Sequence, residues 1–83
     1  MKVRRIDLDD EEMPERVLVD LSHDEAAYLA LLLGRQAPNE MNQVMPGGSS
    51  QGSAVYRGLT GGLFNRFYED GTDGAAEAIR ARS

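Results

Sequence analysis

The chain has 83 residues, enough for one small domain, and it contains no cysteine. Disulfide cross-links, thiolate metal sites and cysteine nucleophiles are therefore excluded, as is typical of proteins in a reducing cytoplasm. The net charge of −5 comes from an acidic stretch near the start of the chain. This stretch contains no basic residue, and its carboxylates are those of Asp7, Asp9, Asp10, Glu11, Glu12 and Glu15. Because this stretch would repel a phosphate backbone, we expect no direct nucleic-acid binding.

The sequence offers no membrane-spanning or secretory segment. Its start, "MKVRRIDLDD", is charged and lacks the apolar region of a signal peptide. The longest uncharged apolar run, Ala26 to Leu33, is much shorter than the ~20 residues that span a bilayer. We expect a soluble protein of the cytoplasm that has no membrane partner.

Two strands are predicted at the N-terminal end. The segment "RVLVDL" places Val17, Val19 and Leu21 on one side, which is the period of a strand with an apolar face. Upstream, "KVRRIDL" is rich in β-branched residues but alternates less regularly, and we predict that it is the second strand. The acidic stretch 9–15, which contains Pro14, is then the hairpin connection.

The first helix has the clearest boundaries. Ser22 followed by Glu25 is a capping box, so the helix is predicted to begin at His23 and to end near Gly34 in the left-handed conformation. From Ala26 to Leu33 the helix is apolar on every side, and such a helix is buried on more than one side. We therefore expect a homo-oligomer in which a second copy covers part of this helix.

The rest of the chain is predicted to hold a loop and two helices. The connection 35–58 contains a Gly/Ser-rich stretch, 46–53, which is typical of a flexible linker. The second helix is predicted to start at Gly61 with Thr60 as its cap and to end near Gly71, and a short third helix that frays is expected to follow. The prediction is one α+β domain, 1–83, with an N-terminal β-hairpin packed on two main α-helices plus a short C-terminal helix.

The paired glycines do not form a known phosphate motif. A Walker loop needs a lysine, and none follows Lys2, while a dinucleotide fingerprint needs a preceding strand and the G-x-G-x-x-G spacing. A weaker possibility is an anion site in the first turn of the second helix. Its residues would be Arg57, Gly61, Gly62 and Arg66.

Catalytic and metal patterns are also missing. Ser22, His23 and Asp24 are the residue types of a hydrolytic triad, but adjacent side chains on a helix start point in different directions, and capping is the better interpretation for Ser22. A single histidine cannot assemble a zinc site, and the acidic stretch lacks the glycine and ligand spacing of an EF-hand. We predict no enzyme, metal or cofactor. The acidic stretch is a solvated turn, a weak cation binder or a docking surface for a basic protein.

The assembled pattern resembles small accessory proteins encoded by bacteriophages of actinobacteria. These proteins carry a strand ending in L-[ST]-x-x-E-A, an apolar helix ending in L-L-G-R, and a second helix opening with L-T. The matching positions here are Leu21, Ser22, Glu25, Ala26, Leu32, Leu33, Gly34, Arg35, Leu59 and Thr60. The resemblance implies a phage protein of the host cell cytoplasm, and it carries no catalytic residue.

The functional hypothesis is a non-enzymatic protein that binds a host or phage protein. The expected contact residues are Asp9, Asp10, Glu11 and Glu12 for charge, and Tyr56 and Tyr68 as aromatic anchors. Two alternatives stay open at this point. One is a protein that binds or sequesters a nucleotide or other phosphorylated metabolite, and the other is a structural component of the virion.

Overall fold

The computed structural model describes all 83 residues and has an α+β fold, as predicted. An antiparallel hairpin precedes a group of helices in the order of the chain. The elements are β1 (Lys2–Leu8), β2 (Pro14–Asp20), α1 (His23–Gly34), α2 (Pro38–Val44), α3 (Gly48–Leu59), a π-helical segment (Thr60–Phe64), α4 (Asn65–Phe67) and α5 (Gly71–Arg82).

The hairpin forms where the alternation predicted it. Strand β1 has the predicted bounds, whereas β2 begins at Pro14, so the connection is shorter than the predicted 9–15. A proline is tolerated at the first residue of a strand because no ladder hydrogen bond needs its nitrogen there. The pairing is irregular between Val3 and Arg5 and again after Asp7. A β-bulge inserts one residue, which explains why the alternation in β1 was less regular.

The hairpin extends away from the helices as an arm. Residues of both strands are exposed almost throughout, and the only half-buried one is Asp7. The radius of gyration is 14.7 Å, against about 12 Å expected for a compact domain of this length. The arm is tied to the helices at its base, where the amino group of Met1 donates to Glu25 and Leu21 packs on the core.

Helix α1 begins as predicted. The Ser22 side chain accepts from the Glu25 amide, and the Glu25 side chain accepts from the Ser22 amide, so both halves of the capping box are present. The predicted left-handed Gly34 is wrong, because Gly34 is the last helical residue and Arg35 follows in the right-handed region. The space beside Gly34 is tight for another reason: a Cβ on Gly34 would lie 3.2 Å from Cε1 of Tyr56, so the ring would have to shift by a few tenths of an ångström.

The flexible linker predicted at 46–53 is wrong, since α3 begins inside it. Gly47 adopts φ 76°, a left-handed conformation that favours glycine, and the chain turns there from α2 into α3. Gly48 and Gly52 lie against Met41. A Cβ on Gly48 would be 1.9 Å from the Met41 carbonyl oxygen, and a Cβ on Gly52 would be 2.8 Å from the Met41 Sδ atom. These glycines permit close packing of α2 on α3, whereas composition alone indicated a linker.

The predicted start of the second helix at Gly61 is also wrong. Helix α3 continues into the π-helical segment without a break, so Thr60 lies in the middle of one continuous helical stretch and does not begin a new helix. The Thr60 hydroxyl donates to the Tyr56 carbonyl oxygen at 2.9 Å, which is a bond to the preceding turn and not a cap. The helical chain then ends at Phe67, short of the predicted Gly71.

The last helix is longer than predicted. Gly71 adopts φ 60° and turns the chain into α5, which has 12 residues, the same length as α1. Thr72 is its second residue, and Asp70 precedes the helix. Arg80 and Arg82 lie in the last turn, where positive charge is favoured by the helix dipole.

The core is built from alanines around one phenylalanine. Phe64, in the π-helical segment, is fully buried and is the largest side chain with no exposure. The alanines that surround it are Ala26, Ala27 and Ala30 of α1 and Ala75 of α5. Thus the chain itself buries the alanine side of α1, and the apolar residues of α1 that remain exposed are Tyr28 and Leu32.

Phe64→Ala is expected to lower the free energy of unfolding by roughly 3–5 kcal/mol, because it leaves a cavity at the centre of the core. Phe67→Ala is the matched control: this side chain is 70% exposed and contacts the Arg66 guanidinium, so we expect a change within about 0.5 kcal/mol. Urea unfolding of the three proteins measures both effects. Similar losses for the two variants would contradict the position of Phe64 in the core.

A pair of glycine substitutions tests the packing of α2 on α3. Gly58 has open space around it, so Gly58→Ala is expected to stabilise the protein by roughly 0.5–1 kcal/mol through higher helix propensity. Gly48→Ala drives a methyl group into the Met41 carbonyl, and a loss of roughly 1–3 kcal/mol is expected from overpacking. Melting temperatures measure both effects, with an increase expected for Gly58→Ala and a decrease for Gly48→Ala. An increase for Gly48→Ala would argue for the flexible linker instead.

Candidate interaction surface

One face of the hairpin is apolar and uncovered. The cross-strand pairs Val3 with Val19 and Ile6 with Val17 point to the same side, because paired residues share a face and alternate residues return to it. The bulge near Arg4 keeps Val3 and Ile6 in phase, although they are three positions apart. The four side chains, which we call the apolar face, are between 41% and 53% exposed.

The opposite face of the hairpin is polar and already paired. The Asp7 carboxylate accepts from Arg5 at 3.0 Å and from Arg16 at 3.1 Å, and Arg4 lies 3.5 Å from Asp20. Ion pairs of this kind, exposed to solvent, contribute little to stability. They nevertheless cover this face with charged groups, and Leu18 is the one apolar side chain among them.

The predicted acidic contact residues lie at the tip of the hairpin, but they are not equivalent. The Asp9 carboxylate accepts from the backbone amides of Glu11 at 2.9 Å and Met13 at 3.0 Å, so it shapes the turn. Glu12 adopts φ 64°, which is strained for a non-glycine residue. The side chains of Asp10, Glu11 and Glu12 are exposed and accept no hydrogen bond from the rest of the chain. These three carboxylates, which we call the acidic tip, remain available to a partner.

The predicted aromatic anchors do not join the acidic tip. Tyr56 is half-buried in α3 against Gly34, and Tyr68 is half-buried beside His23 and Gly74. Both lie in the helical part, whereas the tip is one strand length beyond the base of the hairpin, which is about 20 Å for seven residues. The six predicted contact residues therefore fall on two separate regions of the molecule.

The predicted anion site does not form. Gly61 and Gly62 lie within a continuous helical stretch, so they are not in a first turn that offers free backbone amides. Arg57 donates to the Ser53 carbonyl oxygen, and the Arg66 guanidinium lies 5.6 Å from the centre of the Phe67 ring. The physical reason is the earlier start of α3 at Gly48, which leaves Gly61 and Gly62 far from any helix N-terminus.

A hydrogen-bonded network that the sequence did not indicate joins α1 to the C-terminal part. His23 Nδ1 lies 2.9 Å from Asp24 Oδ1, and Nε2 lies 2.7 Å from the Tyr68 hydroxyl. Arg82 donates to the same Asp24 oxygen at 2.7 Å. Hydrogen bonds from His23 and from Arg82 hold the pKa of Asp24 below its ordinary value. The partners are 45 and 58 residues apart, which local patterns cannot reveal.

This network has the residue types of a general base and an activated hydroxyl, but no cleft beside it. Four surface clefts are present, and none is lined by His23, Asp24 or Tyr68. A catalytic group needs a concave site that positions a substrate within hydrogen-bond reach. What the hydrogen bonds do show is that the start of α1 is joined to Tyr68 and to the end of α5.

The largest clefts lie among the helices. One of about 520 Å³ opens between α1, α3 and α5 and is lined by Arg35, Tyr56 and Arg80. Thr72 also lines it, and its buried hydroxyl has no hydrogen-bond partner. A second cleft of about 520 Å³ between α1, α2 and α3 is lined by Met41, Tyr56 and Arg57 among others. Both are open, and neither gathers several like charges.

Comparison with known proteins gives no relative: no protein-family model, curated protein or solved structure matches the chain at a significant level. No helix has both the length and the apolar character needed to cross a membrane. No group of three or more acidic, histidine or cysteine side chains is placed to hold a metal ion.

The start of α1 gives the protein an acid-sensitive contact. Hydrogen bonds from the Met1 amino group and from Ser22 lower the pKa of Glu25 from its ordinary value of 4.5 to about 2. A carboxylate whose pKa is lower in the folded state contributes stability above the unfolded value, and this contribution is lost as the pH falls through the folded value. Stability is therefore expected to decline between pH 4.5 and about 2.

Glu25→Gln is expected to lower the melting temperature at neutral pH and to flatten that decline, since the variant has no carboxylate to protonate. Melting temperatures measured from pH 7 to pH 2 test this. The exposed Glu69 provides the control, because Glu69→Gln removes a carboxylate that lies outside the capping box. An unchanged acid profile in Glu25→Gln would show that other groups govern the acid response.

Proposed function

We propose that this chain is a non-enzymatic accessory protein that acts by binding another protein, and that the hairpin is its binding element. The observation that supports this most is the uncovered apolar face of Val3, Ile6, Val17 and Val19. An isolated two-stranded hairpin is at best marginally stable in water, and contiguous exposed apolar side chains mark interfaces. A protein partner would supply the missing layer.

The apolar face, rather than the acidic tip, supplies most of the affinity. Complete burial of a valine or isoleucine side chain stabilises by about 1.5–3 kcal/mol. Because these four side chains are about half buried already, covering the apolar face of one hairpin would contribute roughly 3–6 kcal/mol more. Solvent-exposed charges contribute less to affinity and act mainly on the association rate and on the choice of partner. The acidic tip thus favours a partner with basic residues at the edge of its binding surface.

A host or phage protein is the partner class that follows from the resemblance to accessory proteins of actinobacterial phages. The clefts give less support to the alternative of a phosphorylated ligand. The two glycines on which that idea relied lie inside a helix, and Arg57 is the one predicted anion-binding residue that lines a cleft. The capping role of Ser22 and the absence of a cleft at His23 support a function without catalysis.

A matched pair of variants tests the hairpin as binding element. Val17 and Leu18 are neighbours in β2 on opposite faces, so Val17→Glu and Leu18→Glu add the same charge to the apolar face and to the paired face, respectively. In capture from an actinobacterial lysate, we expect native protein and Leu18→Glu to retain the same protein and Val17→Glu to lose it. Equal retention by all three proteins, or no retention by any, would contradict the proposal.

A further inference from the structure

The apolar face has no cover within its own chain. The arm projects from the helices, the molecule measures 47 Å along its longest axis, and the four side chains of the apolar face keep about half of their surface in contact with water. The short connection of Leu21 and Ser22 between β2 and α1 fixes where the arm leaves the body. The apolar face is therefore open to a surface outside this chain.

We infer that a second copy of this chain provides it, with the apolar faces of two hairpins packed against each other and the two arms antiparallel. The inference rests on the proposed function, because it takes the hairpin as the binding element. In the free protein the second copy covers the apolar face, and a captured host or phage protein has to displace that copy. The contact would be a two-fold symmetric one, in which each residue of the face meets the same set of residues on the other copy.

The composition of the apolar face suits this self-contact. Its four residues are β-branched, with no charge or hydrogen-bonding group, and they form two adjacent cross-strand pairs. Two such faces can interdigitate at the ordinary spacing of stacked sheets, about 10 Å. The other face is unsuitable because ion pairs occupy it and Leu18 is its only apolar residue.

Charge selects the antiparallel orientation. The base of the arm carries Lys2, Arg4 and Arg5 against one carboxylate, that of Asp20, so it is net positive although Arg4 is paired with Asp20 and Arg5 with Asp7. The stretch from Asp7 to Glu15 has acidic residues and no base. Parallel arms would place the two acidic tips side by side, which is repulsive. Antiparallel arms move the tips to opposite ends and place each one beside the basic base of the other copy. Charge complementarity thus favours a second copy as occupant of the face.

The first experiment measures self-association by sedimentation equilibrium of the full chain and of the two variants Val17→Glu and Leu18→Glu. The native protein is expected to be dimeric. Val17→Glu is expected to weaken the dimer at least roughly a hundredfold, because it buries an unpaired carboxylate from each copy. Leu18→Glu should stay within about threefold, since its face lies outside the contact. Circular dichroism and melting temperatures show whether each variant keeps the native fold.

Several results would overturn self-association. One is a native protein that is monomeric at about 1 mM, where even a millimolar Kd gives substantial dimer. Another is equal weakening by both variants when both are folded. If the native protein is monomeric while Val17→Glu alone loses a captured protein, self-association is wrong and the binding role of the hairpin stands. If Val17→Glu changes neither property, both proposals are wrong.

The second experiment tests the orientation by charge reversal. One variant changes the acidic tip to lysine (Asp10→Lys, Glu11→Lys and Glu12→Lys) and leaves Asp9, which shapes the turn. Another changes Lys2→Glu and Arg4→Glu at the base, and a third combines all five substitutions. With antiparallel arms, each reversal alone weakens the dimer and the combination restores it, since tip and base again have opposite charge.

Parallel arms give a different result, because tip would then face tip and base would face base in every variant. In that arrangement neither reversal changes the sign of the facing charges, and the combined variant gains nothing over either one. Single reversals that leave the dimer unchanged, or a combined variant as weak as the single ones, would overturn the antiparallel orientation. Sedimentation at low ionic strength gives the largest difference, because salt screens exposed charges.

Discussion

The helical part depends on one buried ring, that of Phe64. Small side chains surround it, because Ala26, Ala27 and Ala30 of α1 and Ala75 of α5 let two helices approach the ring closely. The core is therefore small, and only 10 of the 83 residues are buried. Its stability therefore comes from close contact rather than from a large apolar area, and a single cavity or an added methyl group has a large effect.

The hairpin lies outside this small core. The alanines of α1 and α5 pack around Phe64, and no strand residue belongs to the buried cluster. Apolar and polar residues alternate along the hairpin, as in strands that pack one face on a core. In the single chain, however, the apolar face is exposed to water. A chain with this small a core gains proportionately more from a partner than a larger domain would.

The parts of the fold that the sequence predicted are those fixed by local interactions. The capping box of Ser22 and Glu25 and the pairing of Val17 and Val19 with β1 depend on neighbouring residues or a short turn, and both predictions are confirmed. The region 46–53 was mispredicted because glycine has two uses. Its composition indicated a flexible linker, whereas Gly48 and Gly52 provide space for Met41, a contact that only the packed structure shows.

The candidate site divides in the same way. The acidic tip was predictable, since Asp10, Glu11 and Glu12 stand together in the sequence and a hairpin connection exposes them. The hydrogen bond of Tyr68 was not visible in the sequence, because its partner His23 is 45 residues away and the contact depends on how α1 meets the turn between α4 and α5. The apolar face was only partly visible, because the bulge that brings Val3 into phase with Ile6 breaks the alternation of β1.

The arm and the helical part also differ in how they use charge. In the helical part, Asp24 and Glu25 are each held by hydrogen bonds from groups of the same chain, which lower their pKa values and fix the start of α1. At the acidic tip, Asp10, Glu11 and Glu12 have no such partners within the chain, and their mutual repulsion is a cost of the isolated molecule. Basic groups of another molecule would relieve that repulsion. The apolar face thus lacks a covering layer and the acidic tip lacks a base, and in the proposed antiparallel pair the face and the base of a second hairpin would supply them.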